Sequence, residues 1–216
     1  MTTKAKICGI KTSEALDAAI AGGADYVGLV FCATSPRHLE VAEARSLADR
    51  ARGKAAIVVL TVDAEDGALD ELSREIAPDF VQLHGSETPE RAAEIKRRLG
   101  LPVIKAIPVR TAEDAAAQSA YAGIADLILF DAKPPAGATR PGGHGQTFDW
   151  TVLQDVATGT PFMLSGGLSP ENVAAAIRVT HPTVVDVSSG VESAPGVKDA
   201  ELIRRFLQAV KTANQT

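Results

Sequence analysis

Only two cysteines, Cys8 and Cys32, occur in 216 residues. Two are too few for a disulfide framework, which points to a reducing compartment where a thiol serves packing or chemistry. The chain also lacks a basic excess. Its 22 Lys and Arg stand against 27 Asp and Glu, a formal charge of -5, with an isoelectric point near 5.4. Nucleic-acid binders usually carry a basic domain or stripe, so that class is excluded, as is a membrane-surface role. No apolar run approaches the ~20 residues of a membrane helix. No apolar signal region follows Met1-Thr2-Thr3-Lys4-Ala5-Lys6, so the expected location is the cytoplasm. A dinucleotide fingerprint is missing too: Gly142-Gly143-His144-Gly145 has Phe148 where the third glycine belongs, and no nicotinamide cofactor is expected.

What is present is a globular composition, 45% hydrophobic and 23% charged. Such a chain is not disordered, and at this length it buries roughly 70% of its unfolded surface without disulfide or metal. Eight short apolar runs, many rich in Val and Ile, recur: 5–8, 26–31, 56–60, 80–83, 103–107, 127–130, 162–164 and 183–187. Short, near-continuous runs of this kind read as strands buried on both faces, hence parallel.

Helix patterns separate them. Thr12-Ser13-Glu14 opens a helix that stops at Gly22-Gly23; Val41 to Arg52 stops at Gly53. Thr88-Pro89-Glu90 starts one through Leu99, with a basic last turn and then Gly100-Leu101-Pro102, the start and stop chemistry expected of a helix. Ser169-Pro170-Glu171-Asn172 repeats the start signal, and Asp199 to Val210 is amphipathic. Weaker patterns cover Asp66 to Ile76, Ala112 to Tyr121 and Phe148 to Val156. Strand–helix alternation demands a parallel sheet with helices outside it. Eight units of about 27 residues predict an α/β fold, a single (β/α)8 TIM barrel spanning residues 1–216, over an open doubly wound sheet of five or six strands.

In such a barrel, function lies at the C-terminal ends of the strands. The residues there are Cys8-Gly9, Cys32 to Arg37, Thr61-Val62-Asp63, His84-Gly85, Pro108, Asp131-Ala132-Lys133, Ser165-Gly166-Gly167 and Ser188-Ser189-Gly190. The last two follow strands seven and eight, the usual barrel phosphate site. Their glycines let backbone N–H groups approach an anion. The Pro/Gly-rich stretch Lys133 to Gly145 follows strand six and is the candidate lid.

Seven segments in register, at the ends of consecutive strands, resemble one family. They are Lys6-Ile7-Cys8-Gly9-Ile10, Ser35-Pro36-Arg37, Gln82-Leu83-His84-Gly85, Phe130-Asp131, Gly142-Gly143-x-Gly145-x-x-Phe148-Asp149-Trp150, Leu164-Ser165-Gly166-Gly167-Leu168 and Asp186 to Glu192. Together they look like phosphoribosylanthranilate isomerase of tryptophan biosynthesis. The resemblance implies an Amadori rearrangement of an aminoaldose by one acid and one base, without metal or redox cofactor. The partner is then a small phosphoribosyl substrate, and the chain is a monomer or a homodimer.

By the same resemblance Cys8 is the base and Asp131 the acid. A cysteine base should have its thiol near or below the free value of ~8.5, and an aspartate acid should have its carboxyl raised. Arg37 resembles the arginine that pairs the anthranilate carboxylate. Gly143, Gly145, Gly166, Gly167, Ser188, Ser189 and Gly190 are assigned to phosphate. Asp186 is read either as a contact to the substrate amine or as a brace for a neighbouring loop. His84 is read as shaping the site, and Cys32 as packing. His144 departs from the Gly-Gly-Thr/Ser-Gly of the family loop, which leaves the role of that position open. The histidine-pathway isomerase is the nearest rival enzyme, but its pattern has an aspartate in place of Cys8. A non-catalytic phosphosugar-binding barrel need not keep Cys8, Asp131 and Arg37 together.

Overall fold

The computed structural model describes residues 2–134, 142, 145, 147–153 and 161–215. Eight parallel strands close into a barrel in sequence order. They are β1 (Lys4–Cys8), β2 (Tyr26–Phe31), β3 (Ala56–Thr61), β4 (Phe80–Leu83), β5 (Val103–Val109), β6 (Leu127–Ala132), β7 (Phe162–Leu164) and β8 (Val184–Val187). β8 pairs β1 in parallel register, Lys6 opposite Asp186, which closes the ring. Helices α1 (Ser13–Gly22), α2 (Val41–Ala51), α3 (Asp66–Ile76), α4 (Pro89–Leu99), α5 (Ala112–Ala116), α6 (Val173–Thr180) and α7 (Ala200–Ala213) lie in the connections. A small antiparallel pair, β9 (Glu192–Ala194) and β10 (Val197–Lys198), follows β8.

Local chemistry accounts for the helix ends. The Thr88 side chain accepts from Arg91 N, Pro89 sits in the first turn, and Gly100 ends α4 in the left-handed region at φ 64°. Only a residue without Cβ takes that conformation without strain. In α7 the Asp199 carboxylate caps Glu201 N and Leu202 N. The helix buries Ile203, Phe206, Leu207 and Val210, the i, i+3, i+4, i+7 stripe of a helix laid on a core. That stripe packs on α1 and α6.

Three expected elements differ. The pattern over Ala112 to Tyr121 is a short α5 that tightens into a 3₁₀ turn over Ala117–Tyr121. The helix expected from Phe148 begins as a 3₁₀ turn, Trp150–Leu153; residues 154–156 lie outside the described residues, as does most of the 133–145 stretch. Helix α6 starts at Val173 rather than near Ser169, because Asn172 folds its side chain back. Its Oδ1 accepts from Ser169 N and its Nδ2 donates to Gly167 O. The signal read as a helix start instead braces the loop after β7. No helix among the described residues is long and apolar enough to cross a membrane.

Candidate active site

Strand side chains alternate in and out with period two, and this alternation builds the site. Lys6 and Cys8 share the inner face of β1; Gln82 and then His84 continue the inner face of β4. Asp131 on β6 and Asp186 on β8 point the same way. At the C-terminal mouth Cys8, Gln82, His84, Asp131 and Asp186 line a cleft of about 830 Å³, its opening included, together with Arg37, Ser165, Gly166, Gly167, Ser188 and Ser189. That size suits a small ligand.

The first wall is apolar. Cys8 clusters with Val30 and Leu60, and the half-buried Cys32 and Val62 pack on them. Cys32 Sγ lies 3.4 Å from Thr34 Oγ1. Cys8 itself is 4% exposed, and Gly28, its partner on β2, makes room for it.

Beneath Cys8 lies a charged layer. Lys6 is fully buried. Its ammonium donates to Gln82 Oε1 at 2.8 Å and to Asp186 Oδ1 at 3.0 Å, and it also faces the Cys8 sulfur. A bare lysine there would lose its proton to desolvation. Burial does oppose the charge, but Asp186 and then Cys8 outweigh it, so the Lys6 pKa is raised. From Gln82 the polar contacts run on: Gln82 Nε2 to His84 Nδ1 at 2.9 Å, then His84 Nε2 to Asp131 Oδ2 at 3.2 Å. Ala132 N donates to the other Asp131 oxygen at 2.9 Å. The backbone of Gly142 covers this contact so closely that a Cβ there would stand 2.7 Å from Asp131 Oδ2 and 2.9 Å from His84 Nε2.

A second buried network closes the other side. Arg37 grips Glu192 with Nε and Nη2, both at 2.8 Å. Lys198 donates to the same carboxylate at 2.7 Å and to Ser188 O at 2.9 Å. Burial works against the Glu192 charge, yet the Arg37 hydrogen bonds and the Lys198 charge win, and its pKa is lowered. Burial dominates at Lys198, whose pKa falls despite Glu192.

The loops after β7 and β8 meet at one rim. Gly166 and Gly167 both take positive φ, 87° and 62°. A Cβ on Gly166 would stand 2.6 Å from Ala132 N, so the turn passes directly over β6. Gly190 packs against the Leu168 carbonyl with no space for a side chain, which locks the two loops together. Among the described residues no group of three or more His, Cys, Asp or Glu is arranged to hold a metal ion.

The sequence profile of N-(5'-phosphoribosyl)anthranilate (PRA) isomerase matches residues 5–209. The chain belongs to the PRA isomerase family. An N-(5'-phosphoribosyl)anthranilate isomerase of Rhodopseudomonas palustris strain BisA53 is 55% identical over 215 residues, covering 100% of this chain and 99% of its own. Phosphoribosyl anthranilate isomerase from Thermotoga maritima matches in structure with a TM-score of 0.88 at 36% identity, over 98% of this chain and all of the other. A phosphoribosyl anthranilate isomerase solved in complex with reduced 1-(o-carboxyphenylamino)-1-deoxyribulose 5-phosphate matches at TM-score 0.85 and 33% identity, over 98% of this chain and 100% of the other.

Within this PRA isomerase fold the expected site residues Cys8, Arg37, His84, Asp131, Asp186, Gly145, Gly166, Gly167, Ser188 and Ser189 line one cleft, whereas Gly190 packs against the Leu168 carbonyl and is not part of that lining. Gly143 and His144 lie outside the described residues. One expectation is overturned: the thiol of Cys8 is not held near or below its ordinary value. Burial pushes it up, and the Lys6 ammonium only partly opposes this. Asp186 pairs with Lys6 in the barrel interior at 3.0 Å, not with a neighbouring loop, and it also lines the cleft. Lys133 pairs with Asp114 at 2.7 Å, not with Asp131. Sequence reasoning missed Lys6, Gln82, Glu192 and Lys198 as parts of the site. The signal for Lys6 and Gln82 was their place two residues before Cys8 and His84; Glu192 closes the last of the seven segments but was given no role there, and Lys198 had no signal.

Proposed function

We propose that this chain catalyses the Amadori rearrangement of N-(5-phosphoribosyl)anthranilate to 1-(2-carboxyphenylamino)-1-deoxyribulose 5-phosphate, a step of tryptophan biosynthesis. The observation that carries the reading is the convergence of Cys8, Asp131 and Arg37 on one cleft in a chain of this family.

The reaction asks for four things. The phosphate needs N–H donors, and the rim formed by Gly166, Gly167, Ser188 and Ser189 supplies backbone amides and hydroxyls. The anthranilate ring needs an apolar wall, and Val30, Leu60, Val62 and Cys32 form one beside Arg37. Its carboxylate needs a guanidinium edge. Glu192 occupies the Nε/Nη2 edge of Arg37, which leaves the Nη1/Nη2 edge, free of partners among the described residues, for a second, bidentate contact.

The fourth need is acid and base. Asp131 gives its proton to the ribose ring oxygen, which opens the ring and leaves a Schiff base between C1 and the anthranilate nitrogen. Cys8, once ionised against the burial that raises its pKa, removes the C2 proton. The C2–H electron pair becomes the C1–C2 double bond, and the Schiff-base π pair returns to nitrogen. The resulting enolamine gains a proton at C1 and loses its enol proton to become the ketone. Each group contributes about 10²–10⁴-fold.

The test is turnover of phosphoribosylanthranilate generated in situ, beside the histidine-pathway aminoaldose. Turnover of the first substrate only is expected. Cys8→Ala and Asp131→Asn should each lose at least ~10²-fold in kcat while retaining substrate binding. Wild-type rates in either variant would refute that residue's role.

A further inference from the structure

The contacts from Lys6 to Asp131 are directional, and elementary donor–acceptor chemistry fixes the direction. An ammonium only donates. Lys6 Nζ lies 2.8 Å from one terminal atom of the Gln82 amide, so that atom is the carbonyl oxygen; the reverse orientation would set N–H against N–H. The amide nitrogen therefore faces His84 Nδ1 at 2.9 Å, and because it donates, Nδ1 accepts. A neutral imidazole accepting at Nδ1 carries its proton on Nε2. That N–H meets Asp131 Oδ2 at 3.2 Å.

We propose that Lys6 and Gln82 are positioning residues that lock His84 in its Nε2–H tautomer, and that this lock directs the proton of Asp131 to the substrate. The inference rests on the acid role of Asp131 given above. With Nε2 protonated, His84 holds the Asp131 carboxyl as a donor and takes no proton from it. Ala132 N holds the other oxygen. A proton on Asp131 then occupies a lone pair that neither donor covers. In the opposite tautomer a bare Nε2 would face Asp131 and accept that proton, spending it on a side chain instead of the ring oxygen.

The lock is buried where water cannot scramble it. Lys6 and Gln82 are both 0% exposed, and the side chains of His84 and Asp131 are 11% and 10% exposed. Asp186 keeps Lys6 charged, and a charged Lys6 is what makes the amide orientation unique. The same ammonium faces the Cys8 sulfur. One buried cation thus touches the base and, through two side chains, sets the partner of the acid.

The experiment uses long-range ¹H–¹⁵N correlation on the histidine rings of the unliganded protein, at a pH where the imidazole is neutral, with His84→Asn to assign the signal. Unprotonated Nδ1 and protonated Nε2 are expected. Gln82→Glu keeps the acceptor for Lys6 but turns an acceptor toward Nδ1, so Nδ1 should become protonated. Its kcat should fall by on the order of 10²-fold, the lower end of a general acid's contribution, with KM changed less than about threefold. Gln82→Met, which keeps the shape and removes both polar atoms, should show both tautomers and a smaller loss in kcat. Protonated Nδ1 in the wild type overturns the proposal. So does a kcat in both variants within about threefold of wild type. The tautomer is read without substrate, so a wild-type protein that fails to turn over phosphoribosylanthranilate would refute the reaction while leaving the lock to stand or fall on its own signal.

Discussion

Cys8 and Gly28 face each other across β1 and β2, and a Cβ on Gly28 would stand 2.8 Å from Cys8 Sγ and 3.1 Å from its Cα. Gly28 has an ordinary backbone conformation, so its glycine is required by space, not by dihedral angle. The carbonyl of Gly28 also receives Gly9 N and Ile10 N at 2.9 and 3.1 Å, which pins the turn carrying the thiol.

Gly28→Ala should therefore move the thiol without altering its chemistry. Misplacing a reacting atom by about 1 Å costs on the order of 10²-fold in rate, and overpacking costs about 1–3 kcal/mol in stability. A kcat loss of that order, with substrate affinity largely kept, is expected from steady-state kinetics. Unchanged kcat would show that the Cys8 position is not critical.

The Cys8 thiol titrates above its ordinary range because burial disfavours the thiolate. Alkylation by iodoacetamide, followed in a Cys32→Ser background, should be slow at neutral pH and rise only above the usual thiol range. Lys6→Met removes the main opposing charge and should move the rise to still higher pH. The sign carries over to stability. A raised thiol binds its proton more tightly in the folded state, so its contribution is present below the ordinary thiol pKa and lost as pH rises through the raised value. An alkylation profile in wild type at or below that of free cysteine would contradict the burial effect.

The barrel was legible because each buried strand carries its own apolar signal and each helix its own caps, as with Thr88, Pro89 and Gly100. Cys8, Arg37, His84 and Asp131 were legible because each sits at a strand end within a recognisable segment. Lys6 was not. A lysine in a strand reads as a solvated residue, and only barrel closure sets it against Gln82, 76 residues on, and Asp186, 180 residues on. Glu192 and Arg37 are 155 residues apart, a separation to which periodicity is blind. The elevated thiol has the same origin, since burial is a property of the closed mouth and not of any local segment.

Glu192 should anchor stability in a pH-dependent way. Its pKa is depressed by Arg37 and Lys198 against the cost of burial, so its contribution is present above the ordinary carboxylate pKa and lost as pH falls through the depressed value. Glu192→Gln leaves two buried cations underpaired. The expected loss at neutral pH is about 3 kcal/mol, or roughly 6–12 °C in Tm. Urea denaturation across a pH series should show the difference from wild type shrinking in acid. A difference independent of pH would mean that packing, not charge, is what Glu192 supplies.

Arg37 holds Glu192 on one edge, and in the proposed reaction its other edge holds the substrate's carboxylate. Arg37→Lys keeps a cation for Glu192 but cannot present the bidentate edge. Hydrogen bonds to charged groups contribute about 1.5–3 kcal/mol, so KM for phosphoribosylanthranilate should rise by about 10- to 100-fold with a smaller change in kcat. The decisive comparison is the phosphoribosylaniline analogue, which lacks the carboxylate. Wild type should bind it more weakly than the full substrate by about the same factor, and Arg37→Lys should bind the two nearly alike. If the variant still discriminates as wild type does, the carboxylate is held elsewhere and Arg37 serves only to fix Glu192.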